Sequence, residues 1–518
     1  MFQRKNLKKL EEELYVRSKL NDLVFLPFFL LLSLFSVAEN YYELDSNLAV
    51  VQRLNYNLEL ASANDLLNEY ELSHPDNSAI HYLFHFNAFL RAFISEEEQD
   101  YANYRKVKDR ALRHYEKLPD CSRYKRFLQS EVYFHSAAVK AKHNELYSAA
   151  LDVSRVLYLT DKNHELFPTF LPNNKLRGLI KVYLSTVPDN YKWAVKLLGA
   201  EGNISEGLKL LKELAKQQNV ESEINGIAKE AGYLYAFALH QVAKRPREAW
   251  VQVFQYTKDY ETNVLSAFFR AYLAMKLNKN LTALSVISSI EKKEVRNNFL
   301  FLDYMYGILK MNQQNEDAII YLKNYAKNFK GRSFKQSCLQ KISWYYVLQG
   351  DLENASNSQL AILDLPESMM EADKQALEYA HKSLPLKNLL EIRMLCDQGE
   401  YKQAKVRLSA IDHRQLPSRD YKIEYSYRYG QVSEKLGNMS AAEKFYKACI
   451  LLAKDSKEYY GAYASIYLGD YYLSLQDKDR AIEHYQQALS FKRNREYTES
   501  IEHRATIGIE RAGRITKE

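Results

Sequence analysis

Glycine and proline are scarce in this sequence. Its 518 residues include 16 Gly and 10 Pro, which is below average usage for a chain of this length. Few residues can therefore form β-turns or the glycine-rich loops that hold phosphate groups. The chain is also longer than a single compact core normally supports, which leaves either several domains or a repeat array.

Motifs of the common enzyme classes are missing too. The patterns GxSxG, HExxH, GxGxxG and the nucleotide-binding GxxxxGK followed by Ser or Thr do not occur in the chain, although these place nucleophiles, metals and nucleotides in the corresponding families. Carboxylate pairs on the predicted helices are expected to be solvated surface. We predict a protein without a catalytic role, a cofactor or a bound metal.

The four cysteines form no recognisable metal or redox motif. Cys121, Cys338, Cys396 and Cys449 are far apart, and none belongs to a CxxC pair, so zinc-ribbon and thioredoxin-like sites have no support. We expect them to be small core residues. A disulfide stays open as an alternative in an exported protein.

Two histidines come nearest to a metal-binding pattern. His81 and His85 are four residues apart, a spacing that places both on one helix face. No acidic residue lies between them, and the surrounding IHYLFHFNAFL is rich in aromatic residues. We therefore expect a packing face here and no metal.

The charge balance does not indicate a nucleic-acid partner. Lys and Arg number 72 against 65 Asp and Glu, a formal charge of +7, and no basic stripe or nucleic-acid module accompanies it. A hydrophobic fraction of 47% is typical of a chain with a folded core. The 41 tyrosines are interpreted mainly as packing residues.

The amino terminus has the pattern of a secretory signal peptide. Residues 23–38, LVFLPFFLLLSLFSVA, form an uncharged run after Arg17 and Lys19. This run is shorter than the about 20 apolar residues of a membrane span, and small residues stand where signal peptidase cleaves. We predict cleavage between Ala38 and Glu39 and export to the periplasm or the cell exterior, with the mature chain soluble or peripherally attached to a membrane. The long charged leader leaves an uncleaved anchor as the alternative.

Two consecutive segments near the carboxyl terminus share one pattern of small and aromatic residues. Within residues 425–453, Gly430, Ala442 and Tyr446 occupy relative positions 8, 20 and 24. In the next unit the same positions are held by Gly469, Ala481 and Tyr485.

This pattern resembles the tetratricopeptide-repeat family, whose 34-residue unit is a pair of antiparallel helices. The resemblance implies an all-α fold, a right-handed superhelical solenoid of helix hairpins. Small residues at Gly430 and Ala442 would let the two helices approach, while Tyr446 fills the space beside them. Gly469, Ala481 and Tyr485 would do the same in the next unit.

The alanine of the second helix also recurs upstream. It is found at Ala249, Ala283, Ala318, Ala355 and Ala404, and successive alanines from Ala249 to Ala481 are 34, 35, 37, 49, 38 and 39 residues apart. The longer spacings predict lengthened helices or loops. We assign residues 231–515 to the repeat array, residues 39–230 to a divergent helical-repeat region, and nine to twelve hairpins to the whole.

A second, shorter resemblance lies within the divergent region. Residues 197–214, LLGAEGNISEGLKLLKEL, are similar to a divergent tetratricopeptide subfamily that includes a eukaryotic inclusion-body-clearance protein. The similarity is centred on Gly199, Gly202, Asn203 and Gly207. It implies helices longer than those of the standard unit.

The family resemblance also implies which residues would line a concave groove. In the first unit these are Glu424, Tyr427, Gln431, Glu434 and Lys435, and in the next they are Tyr463, Ile466, Asp470, Leu473 and Ser474. A mixed polar and aromatic lining suits a peptide or helical ligand. Chaperone-binding members carry Lys and Asn where Tyr427 and Gln431 stand, so a clamp for a terminal carboxylate is not expected.

The function predicted from these patterns is an exported scaffold that binds a protein or peptide partner in its groove. A cell-surface glycan-binding protein is the first alternative, and the presence of only three Trp residues counts against it. A helical-toroid polysaccharide enzyme is the second alternative, and it would require a cleft with convergent acids.

Overall fold

The computed structural model describes residues 40–185, 201–219, 225–290, 298–491 and 497–513. The predicted signal peptide, with Ala38 and Glu39 at its cleavage site, lies outside the described residues, and so does Gly199. None of the described helices is both long and apolar enough to cross a membrane.

The described residues form an all-helical chain without β-strands, apart from one parallel β-bridge between Tyr41 and Asn77. They contain 24 α-helices and two short 3-10 helices. The α-helices are Ser46–Tyr56, Leu60–Ser73, Ser78–Ser95, Glu98–Glu116, Arg123–Lys142, Leu146–Leu166, Asn173–Leu184, Ile204–Ala215, Asn225–Gln241, Pro246–Tyr256, Val264–Lys276, Asn280–Ser288, Phe301–Asn312, Ala318–Asn328, Lys335–Gln349, Leu352–Leu360, Glu371–Ala380, Lys387–Gln398, Tyr401–Ser409, Arg419–Lys435, Met439–Leu452, Tyr460–Ser474, Lys478–Ser490 and Thr498–Gly513.

Most of these helices are arranged in pairs. Eleven pairs of helices that follow one another among the described helices pack together, and each pair packs on the next, which is the arrangement of a helical repeat solenoid. The alanine predicted for each second helix is fully buried at all seven positions from Ala249 to Ala481. A small side chain at each of these positions lets the paired helix backbones approach closely.

Local sequence signals set the ends of the helices. The Asn438 side chain accepts a hydrogen bond from the Ala441 N–H at 3.0 Å, which caps the Met439–Leu452 helix in the manner expected of Asn. Just before it, Gly437 adopts a positive φ of 80°, a conformation that costs glycine little. The pair can therefore turn tightly between its two helices.

An inserted helix explains the longest alanine spacing. The 49 residues from Ala355 to Ala404 contain the additional helix Glu371–Ala380, where lengthened helices or loops were predicted. Its Asp373 is fully buried and accepts hydrogen bonds from the N–H groups of Phe334 at 2.6 Å and Ser337 at 2.8 Å. Because Phe334 offers no side-chain cap of its own, Asp373 supplies the cap and fixes the inserted helix against the Lys335–Gln349 helix.

The hydrophobic core follows the array as a series of clusters. The largest cluster extends along the sequence from Leu48 to Leu273 and so includes residues on both sides of residue 230. The last cluster begins at Ile423 and ends at Ala512. Each cluster joins neighbouring helix pairs, as nearest-neighbour stacking requires.

Candidate partner-binding groove

The predicted small and aromatic positions lie against one another in the carboxyl-terminal pairs. A Cβ atom built on Gly430 would come within 2.6 Å of the Tyr446 ring, and one on Gly469 within 2.6 Å of the Tyr485 ring. These distances are shorter than any van der Waals contact, so each glycine makes room for its tyrosine. Ala442 and Ala481 are fully buried beside them.

Tyr427 requires a correction, because it is buried where a groove position was predicted. Its side chain is only 4% exposed, and its ring centroid lies 5.0 Å from that of Tyr460 and 6.4 Å from that of Tyr446. Aromatic side chains of successive first helices fill the space between the helices here, and packing removes Tyr427 from the surface.

Three other predicted groove residues of this helix have partners within the repeat. Gln431 accepts a hydrogen bond from the Arg428 guanidinium at 3.2 Å. Glu434 accepts one from the Tyr446 hydroxyl at 2.7 Å and lies 3.1 Å from the Lys435 ammonium. These groups stabilise the helix pair.

Two further predicted groove residues contact the last helix, Thr498–Gly513. The Tyr463 hydroxyl lies 3.1 Å from the Ser500 hydroxyl. Asp470 pairs with Arg504 at 3.1 Å and accepts a hydrogen bond from the Tyr485 hydroxyl at 2.7 Å. The last helix therefore covers this end of the array.

Glu424 is a predicted groove residue that lines a cavity. The cavity has a volume of about 590 Å³, and its wall also includes Trp344, Tyr379, Arg393 and Tyr459. These residues come from successive parts of the array, from the Lys335–Gln349 helix to the loop before the Tyr460–Ser474 helix. We call this space the aromatic cavity.

Two cations are stacked on the indole ring in this wall. The Lys341 ammonium lies 3.5 Å and the Arg393 guanidinium 4.3 Å from the Trp344 ring centroid, within the range of cation–π attraction. Burial lowers the pKa of Lys341, and the neighbouring Arg393 lowers it further. Within the described part of the chain, no carboxylate lies within 4.0 Å of the Arg393 guanidinium.

A second cavity lies next to the aromatic cavity. It has a volume of about 670 Å³, and Gln375 lines both cavities. Tyr497, which directly precedes the last helix, lies in its wall, and the Tyr497 ring is 4.7 Å from that of Tyr459 in the aromatic cavity. We call this second space the seam cavity, and the two cavities together form the groove.

Comparison with known proteins identifies the carboxyl-terminal pairs. The sequence model of the tetratricopeptide repeat family matches residues 423–456 and 458–495. These pairs are tetratricopeptide repeats. A search of curated proteins gives no match. Among solved structures, the crystal structure of the yeast Tom70 is 14% identical over 81% of this chain and 95% of that chain, with a TM-score of 0.22.

Trp344 and Arg393 were not among the groove residues predicted from the sequence, although their positions in the repeat indicate the inner face. Trp344 precedes Ala355 by eleven residues, and Arg393 precedes Ala404 by the same interval. Gln431 stands at the equivalent place before Ala442. Extending the register of the tetratricopeptide repeats upstream would therefore have placed Trp344 and Arg393 on the inner face.

The two histidines considered for a metal site face different neighbours. The His81 ring centroid lies 3.7 Å from that of His114, whereas the His85 Nε2 atom lies 3.1 Å from the Tyr104 hydroxyl. Burial lowers the pKa of His85 to about 3, so this ring is neutral at physiological pH. Across the described ranges, no group of three or more His, Cys, Asp or Glu residues could hold a metal ion.

Proposed function

We propose that this protein is a scaffold that binds a segment of a partner protein in the groove, without a catalytic step. The observation that carries the proposal is the presence of two neighbouring cavities along the array, whose walls share Gln375. Each cavity, at about 590 and about 670 Å³, lies within the range of about 300–1,000 Å³ typical of ligand pockets, so the two suit successive side chains of a peptide. Tetratricopeptide repeats at residues 423–495 support this class of function.

The chemistry of the aromatic cavity favours a peptide with a polar or acidic side chain near an apolar one. The Arg393 guanidinium lies over the Trp344 ring at 4.3 Å, and among the described residues it has no ion pair within 4.0 Å. Aromatic residues and Arg anchor many protein interfaces because they contribute large contact areas with defined geometry. Glu424, the acidic residue of the same wall, already has a partner, because its carboxylate lies 3.6 Å from the Arg428 guanidinium.

A peptide selection would test this function. A random-peptide display library is selected on the full chain, and affinities are measured by fluorescence anisotropy for wild type, Arg393→Met and Arg407→Met. We expect Arg393→Met to weaken binding at least about tenfold, equivalent to about 1.4 kcal/mol. Arg407→Met is the matched control, because Arg407 pairs with Glu391 outside both cavity walls and should leave affinity unchanged.

The opposite results would be equally informative. Failure of any peptide to bind would exclude peptide recognition in the groove. Binding on a glycan array in its place would favour the cell-surface glycan-binding alternative.

We also propose that the protein is exported and that its signal peptide is cleaved. The apolar run of residues 23–38 and the small residues before Glu39 support this proposal. Mass spectrometry of the protein purified from its own cells should give an amino terminus at Glu39. An intact amino terminus would favour an uncleaved anchor or retention in the cytoplasm.

A further inference from the structure

Apart from Tyr497 and Thr498, the wall of the seam cavity comes from two parts of the chain that are far apart in sequence. Phe93 and Lys142 belong to the amino-terminal helices Ser78–Ser95 and Arg123–Lys142, whereas Ser333, Met370 and Lys374 belong to the middle of the chain. This cavity therefore depends on how closely the two parts approach.

One carboxylate joins the two parts at this place. Glu96 follows the Ser78–Ser95 helix and is 8% exposed. Its carboxylate accepts hydrogen bonds from the N–H groups of Arg332 and Ser333, each at 3.0 Å. The Lys142 ammonium donates to the same carboxylate at 2.6 Å and to the Ser333 hydroxyl at 3.1 Å. We call this set of four residues the latch.

The surroundings of the latch fit it closely. A Cβ atom on Gly331 would lie 2.5 Å from the Cβ of Glu96, so the turn can approach only because residue 331 lacks a side chain. Burial raises the pKa of Glu96, but the Lys142 ammonium and the hydrogen bonds from Ser333 outweigh burial and lower this pKa below its usual value. Glu96 is therefore ionised, and the latch is a charge-assisted contact.

The turn on the other side of the latch is anchored independently. Asp373 of the inserted helix accepts hydrogen bonds from the N–H groups of Phe334 and Ser337, and the Tyr325 hydroxyl donates to the Ser333 carbonyl oxygen at 2.7 Å. The turn that contains Arg332 and Ser333 therefore keeps its contacts with the middle of the chain if its hydrogen bonds to Glu96 break. Separation would occur between Glu96 and Ser333, at the wall of the seam cavity.

We infer that the latch controls the binding groove, so that partner binding in the seam cavity and closure of the latch favour each other. This inference rests on the proposed function, since it concerns the same groove. Lys142 and Ser333 belong both to the latch and to the cavity wall, so opening the latch moves one wall away from the other. Coupling between partner binding and latch closure is reciprocal. A bound segment that contacts both walls holds the latch closed, and a closed latch raises the affinity for that segment.

A distance measurement tests closure directly. Cys121 is exposed while the other three cysteines are buried, so a spin label on Cys121 can be paired with one at an introduced Glu353→Cys. In the full chain, Lys142→Met should broaden the distance distribution and shift it to longer distances. Lys140→Met is the matched control. Lys140 belongs to the same helix, but its ammonium pairs with Asp152 at 2.5 Å and takes no part in the latch.

The affinity of the selected peptides tests the coupling. We expect Lys142→Met to weaken their binding at least about tenfold and Lys140→Met to leave it unchanged, and the peptides should narrow the distance distribution of Lys142→Met. Glu96→Gln, which removes the charge but keeps the shape, should give the same pattern and guards against misfolding of a single variant.

Each contrary outcome has a separate meaning. Unchanged distances in both latch variants would overturn the latch, even if peptides bind wild type through Arg393. Longer distances with unaltered peptide affinity would overturn the coupling. If no peptide binds wild type, the proposed function and the coupling both fail, while the distances still decide whether the latch holds the two walls together.

Discussion

A buried group of three ionisable side chains in the amino-terminal half leads to a prediction about pH. The Lys175 ammonium contacts the Glu131 carboxylate and lies 2.6 Å from that of Glu230. Lys175 is 1% exposed and Glu131 is fully buried, and the Tyr56 hydroxyl also donates to Glu230 at 3.0 Å. One ammonium therefore serves two carboxylates, and burial together with the Glu230 charge raises the pKa of Glu131 from 4.5 to about 7 despite the pull of Lys175.

This shift makes the stability of the fold depend on pH. Between pH 4.5 and about 7 the unfolded chain releases the Glu131 proton while the native protein keeps it. The free energy of unfolding therefore falls as the pH rises through this window. At about 1.4 kcal/mol for each pH unit, the whole loss is about 3–4 kcal/mol.

The substitution Glu131→Gln should abolish this dependence, because an amide cannot ionise and Lys175 keeps Glu230. Urea unfolding followed by circular dichroism across this window should show a falling stability in wild type and a nearly flat one in Glu131→Gln. Glu165→Gln is the control, because Glu165 forms an exposed pair with Lys162 and such pairs contribute about 0–1 kcal/mol. Equal slopes in wild type and Glu131→Gln would refute this account of Glu131.

Three further predictions concern packing, thiols and the inserted helix. Gly430→Ala should lower the free energy of unfolding by about 1–3 kcal/mol, because the added Cβ would clash with the Tyr446 ring. A Cβ at Gly513 meets nothing within 4 Å, so Gly513→Ala should leave the free energy of unfolding unchanged in the same urea titration. Equal effects of the two substitutions would exclude the packing explanation. A thiol reagent should label only Cys121 in the native protein and all four cysteines after unfolding. The other three thiols are buried, and burial raises their pKa. Rapid labelling of a second thiol in the native protein would contradict this prediction. Asp373→Ala should destabilise the protein by about 1–3 kcal/mol, because it removes the acceptor of the buried Ser337 N–H group and of the partly buried Phe334 N–H group. Hydrogen exchange should locate the loss of protection at residues 334–337, and unchanged protection there would contradict the capping role of Asp373.

The sequence predicted the fold wherever the repeat has a periodic signal. Small residues that must be buried recur at a nearly constant interval, so the second helices could be located from Ala249 to Ala481. The inserted helix could not be located this way, because it contributes length to the spacing but no residue to the pattern. Its position depends on the contact of Asp373 with a turn that precedes it by 36 residues or more.

The groove was harder to predict than the fold. Family positions give the face on which a residue lies, but they do not tell whether a neighbouring ring covers it, and this is why Tyr427 is buried while Glu424 lines a cavity. The position of Arg393 could have been predicted by extending the repeat register upstream. The seam cavity could not have been predicted, because it joins residues that no short-range sequence pattern relates.

The latch also has a consequence for the order in which the chain folds. Helix pairs form contacts that are local in sequence, and such contacts form early and can accumulate pair by pair. Glu96 and Ser333, in contrast, are separated by 237 positions, and they can meet only after the helices between them have been made and stacked. During synthesis the amino-terminal pairs therefore form with Glu96 and Lys142 exposed to solvent, and the latch can close only after residue 333 has been added.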